Sequence, residues 1–328
     1  MHPFEFVRAT AIENAVRDGS RERVKWIAGG TNLVDLMRVE VEAPAQVVDI
    51  NGLELGSVTE ERGGIRIGAL VRMSDLAAHP LVVERFPAIA QALLASASPQ
   101  IRNAASIGGN LMQRTRCPYF RELTFTPCNK RDPGSGCSAI GGQNRMHAIL
   151  GTSPSCIATH PSDFAVAVTA LDGVLTLRGA NGERTVNATD FHLLPNDTPH
   201  LEHDLHRGEL IASLFLPAAP HARNSAYLKL RDRASYEFAL ASAAVGLDVE
   251  GGTIRSARVA LGGVGTKPWR ARLAESALTG KRPSAEVFRA AADAELKNGR
   301  GYGHNDFKIE LARRTLVRAL MDLTGGAA

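Results

Sequence analysis

Hydrophobic and polar positions along the chain change period repeatedly, and each change predicts an element. Residues 24–28 form a short apolar run that reads as a strand, Gly29-Gly30-Thr31-Asn32 breaks it as a turn, and Leu33, Leu36 and Met37 share one face of a helix expected over 33–41. A second strand is expected over 46–50, ending at Asn51-Gly52. Residues 64–69 alternate like a half-buried strand, and Ser74 stands where it would cap a helix opening at Asp75. A longer helix over 87–96 precedes Ser98-Pro99-Gln100 and a glycine-rich loop, Ser106-Ile107-Gly108-Gly109-Asn110-Leu111.

Periodicity then vanishes from 114 to 156, where Pro, Gly, Ser, Arg and Asn dominate; a structureless stretch of that length is rare in a compact domain unless it has a task. Ser162 or Asp163 caps the next helix, expected to run to Leu171, and a hairpin follows over 174–178 and 184–186 with its turn at Asn181-Gly182. A strand over 209–216 stops at Pro217, and the Pro-Ala-Ala-Pro-His stretch after it is the expected domain boundary. Beyond it come a strand over 226–231, a long hairpin turning at Gly251-Gly252, and helices near 285–296 and 307–323. The expected division is residues 1–217, with 114–156 as an inserted loop, and a smaller α+β domain over 223–328.

Composition supports a folded two-domain chain. Of 328 residues, 44% are hydrophobic and 22% charged, which excludes a disordered, collagenous or coiled-coil protein. The net charge is +4, but the basic residues are scattered rather than gathered into a stripe with aromatics, so nucleic acid is not an expected partner. No window holds the roughly 18 apolar residues of a membrane span. The start, Met1-His2-Pro3-Phe4-Glu5, lacks a basic segment followed by an apolar run, so the expectation is a chain with no export signal of its own.

Two glycine segments are candidate phosphate cradles. Ala28-Gly29-Gly30-Thr31-Asn32-Leu33 follows a strand and opens a helix, where glycines admit a phosphate close to the backbone and the helix start favours negative charge. Alone it is also an ordinary strand-to-helix turn, and it is not the Gly-x-Gly-x-x-Gly of a Rossmann unit. Ser106-Ile107-Gly108-Gly109-Asn110 repeats the chemistry, and two such segments suit a ligand with two phosphates, such as a dinucleotide.

All four cysteines, Cys117, Cys128, Cys137 and Cys156, lie in the irregular stretch. None of the spacings is the short Cys-x2-Cys of a zinc ribbon or a bacterial ferredoxin, and spacing leaves three occupants open: two disulfides, a four-thiolate zinc site, or a 4Fe–4S cluster. A chain this large does not need disulfide staples. Arg114, Arg116, Lys130 and Arg131 would offset the negative charge of a thiolate-bound cluster and lower the thiol pKa values, while Pro118 stiffens the loop beside Cys117.

With these motifs the chain resembles the FAD-binding subunits of the molybdenum hydroxylase (xanthine dehydrogenase) family. Ala28 to Leu33, Ile67-Gly68-Ala69, Ala104 to Leu111, Pro161-Ser162-Asp163 and Gly262-Gly263-Val264-Gly265-Thr266-Lys267-Pro268 carry the resemblance over essentially the whole length. It implies an α+β fold, with an FAD-binding domain of the vanillyl-alcohol-oxidase (PCMH) type in two subdomains and a small C-terminal α+β domain. Ordinary members pass almost directly from the Gly-Gly-Asn segment to the acidic residue. The cysteine stretch inserted here is shared with the periplasmic aldehyde oxidoreductase branch, whose flavin subunit carries an extra 4Fe–4S cluster. That resemblance implies Cys117, Cys128, Cys137 and Cys156 as cluster ligands.

It also implies the FAD pyrophosphate on Ala28, Gly29, Gly30, Thr31, Asn32 and Leu33, with Ser106, Ile107, Gly108, Gly109 and Asn110 along the pyrophosphate and flavin side. Asp163 would bind the flavin's polar edge or the ribityl chain, and Lys229 falls near the isoalloxazine, against the plainer reading of a solvated strand lysine. His160 would tune the flavin or serve only as structure. No residues are expected to be catalytic in the acid–base sense. The implied partners are a large molybdenum-cofactor subunit, which oxidises an aldehyde with water to a carboxylic acid, and a small 2Fe–2S subunit. This chain would pass the electrons to an external acceptor, the cluster relaying them or merely stapling its loop. The alternatives are the flavin subunit of a hydroxybenzoyl-thioester reductase or purine hydroxylase, and a zinc-stapled nucleotide-binding module without redox role. A periplasmic location would follow from export with a signal-bearing partner; a cytoplasmic complex fits equally.

Overall fold

The computed structural model describes residues 1–61 and 63–325. The chain opens with three short parallel strands, β1 (Glu5–Arg8), β2 (Val24–Ile27) and β3 (Gln46–Asp49), in the order β1-β3-β2. Parallel neighbours need crossovers, and the helices Ile12–Gly19 and Leu33–Arg38 supply them. The first buries Ala15 and Val16, which join Val48, Leu53 and Leu70 in a small core. The second helix stops three residues before Val41 because Glu40 takes a φ of 60°, and the N–H groups of Val41 and Glu42 turn back onto the Leu36 carbonyl at 3.0 and 3.2 Å.

A five-stranded antiparallel sheet follows, built from β4 (Val58–Glu61), β5 (Gly64–Gly68), β6 (Val174–Gly179), β7 (Gly182–Asn187) and β8 (Leu210–Pro217) in the order β4-β5-β8-β6-β7. Because β5 pairs with β8, residues 69–171 form an excursion from this sheet, and the excursion carries both the second glycine segment and all four cysteines. Its helix Asp163–Ala170 is buried along its whole length, with the Ser162 hydroxyl accepting from Ala165 N at 2.9 Å as its cap. Helices Pro87–Ala95 and Asp163–Ala170 share the largest core with Ile65, Ile67, Leu175 and Leu214 of the sheet.

The last sheet is β9 (Ser225–Leu230), β10 (Ala241–Glu250), β11 (Thr253–Gly262) and β12 (Trp269–Arg270), in the order β12-β11-β10-β9. Helices Arg272–Leu278, Ala285–Leu296 and Phe307–Leu323 enclose a separate core with it, around Val245, Val259, Phe288 and Leu316.

Two local expectations are corrected. Ser74 does not cap its helix: the helix spans Met73–Ala78, so Ser74 lies inside its first turn, Arg72 stands at the cap position without a side-chain cap bond, and the Met73 N–H is taken by the Ala105 carbonyl at 3.0 Å. The second glycine segment is not a loop. Residues Ile107–Leu111 form a short helix, capped by the Ser106 hydroxyl accepting from Gly109 N at 3.2 Å. The hydrophobic pattern also passes over β1, β4 and the helix Ile12–Gly19. In these, alternation is weak because β1 and β4 are largely exposed.

Candidate cofactor sites

The two glycine segments, far apart in sequence, touch in the fold. A Cβ on Gly29 would sit 1.9 Å from the Ala104 carbonyl oxygen, so only glycine permits this approach, and Gly30 takes a φ of +70°. Between them opens a cavity of about 820 Å³, lined by Ala28 to Leu33 on one side and by Ser106, Gly108 and Gly109 on the other. Asn32 ties the first segment to the start of the cysteine-bearing stretch: its Oδ1 accepts from Arg114 N at 3.1 Å, while its buried Nδ2 has no partner. An orphaned donor beside two glycine backbones is the donor set a diphosphate requires. Ile107 and Asn110 do not line this cavity. Ile107 is core, and Asn110 turns inward, its Nδ2 on Met73 Sδ and its Oδ1 accepting the Ser162 hydroxyl at 2.5 Å.

A second, more enclosed cavity of about 180 Å³ is lined by Asp163, His160, Cys117, His147, Phe238 and Gly263, where the Asp163 helix faces the C-terminal sheet. Asp163 is buried and fully engaged. Lys229 Nζ donates to its Oδ2 at 2.7 Å and the Tyr227 hydroxyl to Oδ1 at 2.6 Å, while the Ser96 hydroxyl shares its proton between Oδ2 at 3.1 Å and the Ala92 carbonyl at 2.7 Å. Lys229 is therefore no solvated strand lysine: its side chain is 4% exposed, and its second acceptor is the Ala95 carbonyl at 3.1 Å. Burial, with the Asp163 charge beside it, pushes the Tyr227 phenol well above its ordinary value, so it stays a donor. Neither Tyr227 nor Ser96 is singled out by sequence motifs. Tyr227 was within reach of pattern reasoning, since it lies two residues before Lys229 and so shares its face of β9.

The four cysteines converge. Together they line one small cavity with Phe120, Pro127 and Ala139; Cys128 and Cys137 face each other as an isolated antiparallel bridge, and no two sulfurs are bonded. Among the described residues, no three His, Cys, Asp or Glu side chains close on a single point as one metal ion would require. The cavity that they line is close to filled, at about 10 Å³. Cys117 lines both this cavity and the one beside Asp163.

The electrostatics differ from the sequence expectation that nearby cations lower the thiol pKa values. Burial pushes the Cys117 thiol up to about 12, although backbone N–H groups of Phe120 and Tyr119 pull the other way, and pushes Cys156 up to about 11 despite Lys130. The cations are committed elsewhere. Arg114 is bonded to Glu202 and Glu42 at 2.7 Å each, Lys130 lies 3.5 Å from Glu202, and Arg131 donates to the carbonyls of Tyr119, Phe120, Glu122 and Phe125. Arg131 and Arg116 have no carboxylate partner among the described residues, and Arg116 donates instead to the Arg114 carbonyl at 2.5 Å. Its pKa is lowered to about 10 by burial and by Arg121, and it lies over the Phe238 ring.

Between the glycine helix and the cysteine loop stand three histidines. His160 meets His192 edge to face at 4.4 Å, and His192 lies 5.3 Å from His203. His192 Nε2 bonds the Leu111 carbonyl at 3.0 Å, and burial holds His192 at about 3 and His203 at about 4, so both rings are neutral. His160, lowered chiefly by burial and then by His192, accepts from Ser162 N at 3.4 Å.

Fold and cavities define a dinucleotide-binding protein in which two distant glycine segments meet over one groove, while a second cavity opens between the Asp163 helix and a separate C-terminal sheet. Residues 2–219 match the family described as the FAD binding domain in molybdopterin dehydrogenase, and residues 225–323 match the CO dehydrogenase flavoprotein C-terminal domain. The aldehyde oxidoreductase FAD-binding subunit PaoB of Escherichia coli is 46% identical over 325 residues, covering 98% of each chain. The carbon monoxide dehydrogenase medium chain of Hydrogenophaga pseudoflava is 29% identical, over 90% of this chain and 88% of the relative. A solved carbon monoxide dehydrogenase structure from that organism superposes with a TM-score of 0.78 at 28% identity over 100% of both chains. The chain belongs to the FAD-binding subunits of the molybdenum hydroxylase family: it is an oxidoreductase subunit, its cofactor is FAD, and its fold is the expected α+β FAD-binding domain followed by a C-terminal flavoprotein domain. No helix among the described residues is long and apolar enough to cross a membrane.

Proposed function

We propose that this chain is the FAD- and 4Fe–4S-binding subunit of a heterotrimeric molybdenum-dependent aldehyde oxidoreductase. In the complete reaction an aldehyde and water yield a carboxylic acid, two electrons and two protons. The large partner would hold the molybdenum cofactor, the small partner the 2Fe–2S clusters, and this chain the outlet to an external acceptor. The single observation that carries the reading is the cysteine cavity, because four unbonded thiols around one space beside the Asp163 cavity suit an inorganic cluster. The aldehyde class rests on the 46% identity to the aldehyde oxidoreductase subunit of Escherichia coli.

The residues would divide the work by chemistry. Ala28 to Leu33 and Ser106 to Gly109 would hold the pyrophosphate, with Asn32 Nδ2 as a side-chain donor and Ile107 and Asn110 setting the segment from behind. Asp163, held by Lys229, Tyr227 and Ser96, would order the wall of the ring cavity. Bound there, FAD supplies exchange between one-electron and two-electron carriers, a task in which the protein positions and tunes rather than acts as acid or base. Cys117, Cys128, Cys137 and Cys156 must lose their protons to ligate, so loading the buried Cys117 and Cys156 releases protons to solvent. The division at 1–217 and 223–328, and a periplasmic location reached with a signal-bearing partner, belong to the same reading.

The test is purification of the chain with its co-expressed partners, followed by a visible spectrum with iron, zinc and flavin assays. Flavin maxima over a broad dithionite-bleachable shoulder, with iron beyond the 2Fe–2S content, support the proposal. A zinc-containing chain without that iron refutes the cluster, and a large partner that turns over purines or hydroxybenzoyl thioesters in place of aldehydes refutes the substrate class.

A further inference from the structure

The proposed ligands do not have equal surroundings. Among the described residues, one side chain is hydrogen-bonded to a cysteine sulfur: His147, whose Nε2 lies 3.1 Å from Cys117 Sγ. Cys156 receives a backbone N–H, from Ala158 at 3.5 Å. His147 is 2% exposed, and its Nδ1 is buried without a partner. Partner accounting therefore places the ring proton. With the proton on Nε2, the ring donates to sulfur and leaves a bare lone pair at Nδ1; the other tautomer would strand an N–H donor in the interior, the costlier arrangement.

The ring is held from outside the cysteine loop. Asn305 Nδ2 donates to the His147 carbonyl at 3.2 Å and to Ala148 O at 3.0 Å, and Lys308 Nζ donates to the same His147 carbonyl at 3.1 Å and to Gly263 O at 2.7 Å. Both Asn305 and Lys308 are fully buried, and they lie at the start of the C-terminal helix Phe307–Leu323. Asn144, three residues before His147, is tied to the same segment through the Tyr302 carbonyl at 2.8 Å. The C-terminal domain thus fixes the backbone of His147, and the ring lies between that anchor and Cys117. His147 and Cys117 both line the cavity beside Asp163.

We infer that His147 is a positioning residue for the iron–sulfur site, donating an Nε2–H···S hydrogen bond to the Cys117 thiolate that stabilises the reduced form of the bound cluster and so raises its midpoint potential. A ligand sulfur carries more negative charge after one-electron reduction, and a fixed donor in a dry environment favours that state. The inference rests on the cluster reading above and adds to it which ligand is tuned, by which atom, and from which domain.

The experiment is an EPR-monitored redox titration of the purified complex, wild type against His147→Leu and His147→Gln, with iron and flavin assayed on each sample. Leucine removes the donor, whereas glutamine can present an amide N–H near the Nε2 position. The expected result is full iron in both variants, a more negative midpoint for the cluster of this subunit in His147→Leu, recovery toward wild type in His147→Gln, and unchanged 2Fe–2S midpoints. Equal midpoints in wild type and His147→Leu at full iron overturn the inference and leave the cluster standing. A wild-type complex without that extra iron overturns the cluster reading itself. A measurement on unsubstituted protein decides the matter even if His147→Leu assembles poorly: pulsed EPR of the reduced cluster in complex labelled with 15N-histidine. A weak 15N coupling supports the hydrogen bond. No coupling, or one strong enough for nitrogen bound to iron, overturns it.

Discussion

Gly29→Ala tests whether the meeting of the two glycine segments builds the FAD site. The added Cβ would lie 1.9 Å from the Ala104 carbonyl oxygen, 2.6 Å from its carbon and 3.1 Å from Ala105 Cα, all backbone atoms. Ordinary contact begins at 3.4 Å, so the segments must part by about 1.5 Å. No rotamer change relieves a backbone clash, and overpacking of this kind costs about 1–3 kcal/mol. If the cost falls on the holo state, FAD affinity drops by about 5- to 150-fold, at roughly 1.4 kcal/mol per factor of ten. If it is already felt without FAD, the melting temperature falls instead by about 2–4 °C per kcal/mol in a unit of this size. The assay is FAD rebinding to deflavo-complex, followed by flavin fluorescence, with thermal melts of both forms. Gly56→Ala, whose Cβ would meet nothing within 4 Å, is the control and should leave both readouts unchanged. A Gly29→Ala complex with wild-type FAD affinity and wild-type melting behaviour would refute the argument that this contact shapes the site.

Three further outcomes are expected. Lys229→Met leaves the buried Asp163 carboxylate with Tyr227 and Ser96 alone, costing about 3 kcal/mol, while Lys229→Met combined with Asp163→Asn should recover at least about 1 kcal/mol of that in urea denaturation; strictly additive losses would contradict the pairing. His192 and His203 are held at about 3 and about 4, against 6.5 for the free group, so their contribution to stability is complete above pH 6.5 and is lost as pH falls toward 4, because only the unfolded chain takes up protons in that window. At pH 5 each ring should cost on the order of 1–2 kcal/mol, and His192→Phe should flatten the dependence of the urea midpoint on pH between 7.5 and 5; an unchanged slope would argue against a buried neutral ring. Cys128→Ser should strip the complex of the iron held by this subunit while FAD stays bound, so a variant with full iron would remove Cys128 from the ligand set.

Much of the architecture was legible because it rests on local signals. The turn at Gly29-Gly30, the hairpin (its turn at Ala180-Asn181, one residue before the expected Asn181-Gly182), the Ser162 cap and the two long C-terminal helices are written in residue types whose backbone preferences act within a few positions. Elements stabilised from elsewhere were not. The helix at Met73 begins where the Ala105 carbonyl accepts its N–H, and Ile107–Leu111 is helical although two of its five residues are glycine, because Ser106 caps it and Ile107 and Leu111 are buried.

The site divides along the same line. Residue chemistry alone marked two phosphate-type glycine segments and four clustered thiols as the places where cofactor chemistry concentrates, since those residue types carry their donors and ligands wherever the chain puts them; the acidic helix start at Asp163 was marked by the family resemblance. The fold settled which groups are free to act. It turned Asn110 away from the groove, joined Lys229 to Asp163, spent Arg114 and Lys130 on Glu42 and Glu202, and raised the thiols that nearby cations were expected to acidify. Burial and pairing depend on neighbours distant in sequence, and His147 reaches Cys117 with its backbone held by the C-terminal helix. No pattern in residues 114–156 could have announced that contact.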